Sequence, residues 1–108
     1  MASQLNGETF APFLAASKLP VLVDFYQDSC VPCRRVAPLI AKAEGEYDGK
    51  LAVARVNLTQ NCALAQSQEV AAAPTLILYR NGQEIARHRG VIDKNGLKEL
   101  LFQAVSEE

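Results

Sequence analysis

Apolar residues fall into two rhythms along this chain, and the rhythms alternate from one end to the other. Residues 19–26, LPVLVDFY, form a near-continuous apolar run, the pattern of a strand covered on both faces. From Cys30 onward Val36, Leu39, Ile40, Ala43 and Tyr47 recur at helical spacing, and Gly49 lies where such a helix would stop. A second strand is predicted over 51–56, a short helix over 62–68 and a third strand over 75–79. Asn81-Gly82 then joins that strand to a fourth over 84–89. Asn-Gly between two such runs signals a tight hairpin, because both residues tolerate positive φ. Ahead of the first strand, Phe10, Phe13 and Leu14 mark a helix that Thr9 can cap, with Pro12 tolerated in its first turn. At the far end Asp93 is placed to cap a last helix, whose Leu97, Leu100, Leu101 and Ala104 form its buried stripe.

Strands separated by helices pair in parallel through right-handed crossovers, and the late hairpin adds an antiparallel edge. The fold class is therefore α/β: a central mixed sheet with helices on both faces, in three layers. At 108 residues, one domain over 1–108 is expected, and no internal repeat, low-complexity segment or linker divides it. Composition changes this picture little. A net charge of −1 offers no cationic surface for a nucleic-acid backbone, and Arg34-Arg35 and Arg87-His88-Arg89 read as solvated faces. No apolar run approaches the roughly 20 residues needed to span a bilayer. The opening MASQLNGETF lacks the cationic-then-apolar order of a secretory leader. Three cysteines are too few for a disulfide-dense scaffold, so a reducing cytoplasm is the expected setting.

The chemistry lies in DSCVPCRR, residues 28–35. A metal site needs four ligands, or three and an open position. The chain offers Cys30, Cys33, Cys62 and the arginine-flanked His88 without a second paired motif, so no metal is expected. A purely structural disulfide between Cys30 and Cys33 would close a very short loop, where little entropy is gained. Reversible exchange fits better. Cys30 enters a helix, where unpaired amides and the positive dipole end stabilise a thiolate. Cys33 falls one turn on, on the same face. Pro32 suits the first turn and stiffens the segment between the sulfurs. Cys62 reads as a small residue starting the short helix, or, more sharply, as an exposed thiol open to oxidation or glutathionylation.

VDFYQDSCVPCRRVAP resembles the active-site segment of thioredoxins, and AAPTLILYRNG resembles their second landmark. The element order matches that family over nearly the whole chain. The resemblance implies a thioredoxin-like three-layer α/β/α sandwich and a protein-disulfide reductase, with Cys30 as nucleophile and Cys33 as resolving thiol. It makes Asp24 a buried acid beneath Cys33 that assists deprotonation. The residues agree, since a carboxylate inside VLVDFY is costly and its pKa should rise, as suits a proton acceptor. Pro74 resembles the family's cis-proline, which leaves the Ala73 backbone free to pair with extended substrate. Val31, Pro32, Ala72 and Gly90 would complete a shallow apolar groove. Pro38 should kink the second helix. The resemblance further implies no bound cofactor, electrons from NADPH through a separate thioredoxin reductase, disulfide-containing proteins as partners, and a monomer serving electron transport and cell redox homeostasis. Its rivals are an oxidase or isomerase of the same fold and a non-catalytic binding subunit of an assembly. Four positions depart from the usual pattern: Ser29 and Tyr26 stand where tryptophan is common, Val31 replaces glycine, and Arg55 replaces lysine.

Overall fold

The near-continuous apolar run becomes the central strand. In a computed structural model, which describes residues 2–105, the elements run β1 (Ser3–Leu5), α1 (Phe10–Ala16), β2 (Val21–Tyr26), α2 (Val31–Glu46), β3 (Ala52–Asn57), α3 (Cys62–Ser67), β4 (Thr75–Arg80), β5 (Gln83–Arg89) and α4 (Lys94–Phe102). They build one sheet in the order β1-β3-β2-β4-β5. β1, β3 and β2 are parallel, while β4 and β5 are antiparallel to their neighbours.

β2 has a strand on each side and a core on each face. Val21, Val23 and Phe25 pack with Phe10 and Leu14 of α1, Ala65 of α3 and Ile77 of β4. Leu22 packs in the opposite layer with Val36 and Ile40 of α2 and Leu97 and Leu101 of α4. This is the expected three-layer sandwich. Each such side chain contributes about 1.5–3 kcal/mol on full burial, a large store against which one misplaced polar group can be held. Alternation then decides where that group goes: Asp24 shares the face of Leu22, beneath α2.

Several local expectations hold in detail. Asn81 and Gly82 take φ of 55° and 78°, both left-handed, and close the hairpin between β4 and β5. The register steps from Leu78↔Ala86 to Tyr79↔Glu84, so Ile85 is the extra residue of a bulge. The Asp93 carboxylate accepts the Gly96 N–H at 2.7 Å and caps α4. Gly49 follows α2 with φ 83°. α2 runs on through Pro38. One expectation fails, and one element was not foreseen. Thr9 makes no side-chain cap on α1. Asn6 Oδ1 instead accepts the N–H groups of Glu8 and Thr9 at 2.8 and 3.0 Å, and Thr9 Oγ1 accepts the Asn6 N–H at 2.9 Å. The reciprocal box sits one turn earlier because asparagine, with its carbonyl on a short arm, reaches both amides. β1 was not legible either: it is three residues long, and Ser3 and Gln4 are exposed, so no apolar alternation marks it.

Candidate active site

Cys30 lies at the end of the path from β2 into α2. It is the N-cap of α2, with extended backbone, and Pro32 occupies the first turn, where no intrahelical partner for an amide exists. Cys30 and Cys33 are joined as a disulfide with Cα atoms 5.2 Å apart. The Cys33 N–H points at Cys30 Sγ, 3.1 Å away. An amide aimed there favours negative charge on Cys30 once the bond is reduced. Both cysteines are buried, whereas Val31 between them is 56% exposed.

The loop carrying Cys30 is tied to β3 by contacts that sequence reasoning did not anticipate. Asn57 is buried, and its Nδ2 donates to both carboxylate oxygens of Asp28 at 3.4 Å. Its Oδ1 accepts the Thr59 and Gln60 N–H groups. The Leu58 N–H donates to the Tyr26 carbonyl at 2.8 Å. The only available signal was a lone asparagine ending an apolar strand, which says nothing about a partner 29 residues away.

Asp24 is 2% exposed. Its Oδ2 accepts Arg55 Nε at 3.2 Å, and Oδ1 has no hydrogen-bond partner among the described residues. Burial raises the carboxyl above its ordinary value, and the Arg55 charge and hydrogen bond pull back only in part. Arg55 stands opposite Asp24 in the β2–β3 register. A cleft of about 290 Å³ is lined by Asp24, Ala37, Ile40, Glu44 and Arg55. A second, of about 260 Å³, is lined by Cys33, Arg34, Ala37, Tyr26, Asp28 and Arg55. Ala37 and Arg55 line both, so acid and resolving thiol lie on adjoining clefts.

The 72–74 segment meets this end of the sheet from β4. Thr75 pairs with Phe25 near the end of β2, which brings the start of β4 beside the loop that leads to Cys30. The Ala73–Pro74 peptide is cis. Thr75 Oγ1 donates to the Ala72 carbonyl at 2.7 Å, and the Gly90 N–H donates to the Pro74 carbonyl at 2.8 Å. Pro74 is buried, Ala73 and Gly90 are half-buried, and Pro32 and Ala72 are exposed. Gly90 has φ 89°, a conformation that suits glycine. Val91, next to it, is 51% exposed and adds apolar surface.

Cys62 is exposed, and its thiol lies 3.5 and 3.6 Å from the Leu58 and Thr59 carbonyls. His88 Nε2 sits 3.0 Å from the Val91 carbonyl. Among the described residues no three His, Cys, Asp or Glu side chains cluster as a metal site.

The Thioredoxin family model matches residues 1–103. Thioredoxin 1 of a Nostoc species is 35% identical over 100 residues, spanning 93% of this chain and 94% of that protein. The thioredoxin of Synechocystis is 34% identical over 91% of this chain and 92% of its own length. That of Chlamydia pneumoniae is 35% identical over 94% of this chain and 96% of its own.

Proposed function

The chain belongs to the thioredoxin family, and we propose that Cys30 is its attacking thiol, Cys33 its resolving thiol and Asp24 the acceptor of the resolving proton. The protein is a disulfide reductase with a redox-active Cys30–Cys33 pair. In the reduced form the Cys30 thiolate attacks one sulfur of a substrate disulfide. A new S–S bond joins Cys30 to the substrate, and the displaced substrate sulfur leaves as a thiolate that takes up a proton. Asp24 Oδ1 then receives the Cys33 proton. The Cys33 thiolate attacks Cys30 Sγ, the intramolecular disulfide forms, and the second substrate sulfur leaves as a thiolate that takes up a proton from water, to which Asp24 returns its own. Two electrons and two protons reach the substrate in each cycle. The bonded pair described above is the end of that cycle.

One observation carries the assignment of roles. The Cys33 N–H serves Cys30 Sγ, while the buried acid beneath α2 keeps one oxygen without a hydrogen-bond partner among the described residues. Charge is thus favoured on the first sulfur, and a base is available for the second. The exposed Val31, Pro32 and Ala72 beside Ala73, Pro74 and Gly90 form the groove for an extended substrate strand. Disulfide-containing proteins and a thioredoxin reductase are the family's general partners. For this chain we take the electrons to come from NADPH through that reductase, with the protein a cytoplasmic monomer that binds no cofactor or nucleic acid and serves electron transport and redox homeostasis. Among the described residues no helix is long and apolar enough to cross a membrane.

Trapping tests the roles. Cys33→Ser should accumulate mixed disulfides with partner proteins through Cys30, because the resolving step is lost. Cys30→Ser should trap almost none, and Cys62→Ser should remove any background. Mass spectrometry locates the bond. Adducts mainly on Cys33 or Cys62 would overturn the assignment.

A further inference from the structure

Three side chains lie in one row across the sheet: Gln4 of β1 stands beside Arg55 of β3, which stands beside Asp24 of β2. Tyr26, two residues beyond Asp24, points to the same face. Its ring centroid is 3.8 Å from the Arg55 guanidinium carbon. Gln4 Nε2 donates to the Tyr26 hydroxyl at 2.8 Å. A cation over an aromatic face is attracted to it, more strongly as water is excluded, and the Arg55 side chain is only 34% exposed.

This stacking has a consequence for the acid. Arginine beside a carboxylate commonly closes as a fork, two parallel N–H···O bonds that occupy both oxygens. Here Nε alone reaches Oδ2, and Oδ1 keeps no partner among the described residues. We propose that Tyr26 is a positioning residue for the proton transfer: its ring, steadied by Gln4, holds Arg55 in single contact and so keeps Asp24 Oδ1 open to the Cys33 proton. The proposal rests on Asp24 being the proton acceptor. A forked arginine would bind the carboxylate more tightly, lower its proton affinity and occupy the oxygen that must receive the proton. The other charged groups at this place are Glu44 of α2, which lines the Asp24 cleft, and Arg34 and Asp28 beside Cys33. None is altered by the substitutions below.

The test is an NMR titration of the Asp24 carboxyl in the reduced protein, paired with the pH profile of turnover on a disulfide-bonded test protein. Tyr26→Leu frees the guanidinium to close its fork, so the Asp24 titration should fall by about one pH unit or more. The acid limb of turnover should move the same way, and turnover near neutrality should drop several-fold. Tyr26→Phe keeps the ring face but loses the Gln4 hydrogen bond, so its titration should lie between those of wild type and Tyr26→Leu. In an Arg55→Met background, Tyr26→Leu should shift nothing further, because the tyrosine acts through the arginine. The proposal is overturned if Tyr26→Leu titrates with wild type, if its shift is upward, or if the shift persists without Arg55. Asp24→Asn separates the two layers of the argument: unchanged turnover there removes the proton role, and the proposal with it, whatever the titrations show.

Discussion

A carboxyl group set between Val23 and Phe25, beneath α2, gives up water and regains one hydrogen bond, from a guanidinium that stays partly hydrated. The sign of the result is a carboxyl raised above 3.8, with burial outweighing Arg55. In the unfolded chain the same group titrates near its ordinary value. Between that value and the raised one, the folded state holds more protons than the unfolded state, so stability falls as pH rises through the window and stays reduced above it. Asp24→Asn should therefore match wild type near pH 3 and exceed it near pH 7.5, by roughly 1.4 kcal/mol for each pH unit of the upward shift. Urea unfolding at both pH values measures this, and an equal gap at both would refute the burial account. Turnover near neutrality should fall in the same variant. The acid was legible in the sequence because VLVDFY leaves it nowhere wet to go. Its partner's conformation was not: Arg55 lies 31 residues away, and its seat on Tyr26 depends on a strand register that no local pattern encodes.

At the level of elements, legibility follows how much of the signal is local. β2 announced itself by burial on both faces, and the Asn81-Gly82 hairpin by two residues that accept positive φ. β1 carries no such signal and exists because β3 offers an edge for Ser3 to Leu5 to pair with. The start of α1 was placed correctly, with Thr9 ahead of Phe10, but its side-chain acceptor was not: Asn6 and Thr9 are both capable caps, and only the path of the chain decides between them. α4 gives a clean test of a cap that was read correctly. Its first turn contains no acidic residue, so Asp93 alone supplies the side-chain acceptor, for Gly96. Asp93→Ala should cost about 1 kcal/mol of stability and lower the unfolding temperature. Turnover at a temperature well below unfolding should not change, since α4 contributes no side chain to the two clefts or to the disulfide. A variant as stable as wild type would mean that water replaces the carboxylate there without loss.

For the whole molecule, fold stability and redox chemistry are two readings of one thermodynamic cycle. If folding favours the disulfide over the dithiol, the oxidised protein is the more stable one and the pair is a stronger reductant than in the unfolded chain. β2 and α2 hold the two Cα atoms at bonding separation. Reduction places a thiolate close to a buried acid that is itself reluctant to ionise, and the segment between the sulfurs, Val31 and Pro32, supplies no charge to offset it. The Cys33 N–H favours the Cys30 thiolate, but it is a single dipole. Closing so short a loop adds about 2 kcal/mol to the oxidised form in the chain-entropy account. That one dipole favours the reduced form, while the buried acid and the loop closure favour the oxidised one, the balance required of a protein that gives electrons to other disulfides. Oxidised protein should therefore unfold at higher denaturant than reduced protein. In a two-electron couple each 1.4 kcal/mol of that gap lowers the potential by about 30 mV relative to the unfolded pair. Equilibration with glutathione buffers gives the potential independently, and the two measurements must agree. The reverse order, a dithiol more stable than the disulfide, would mark a protein that takes electrons from its partners and would overturn the direction of transfer argued from the site.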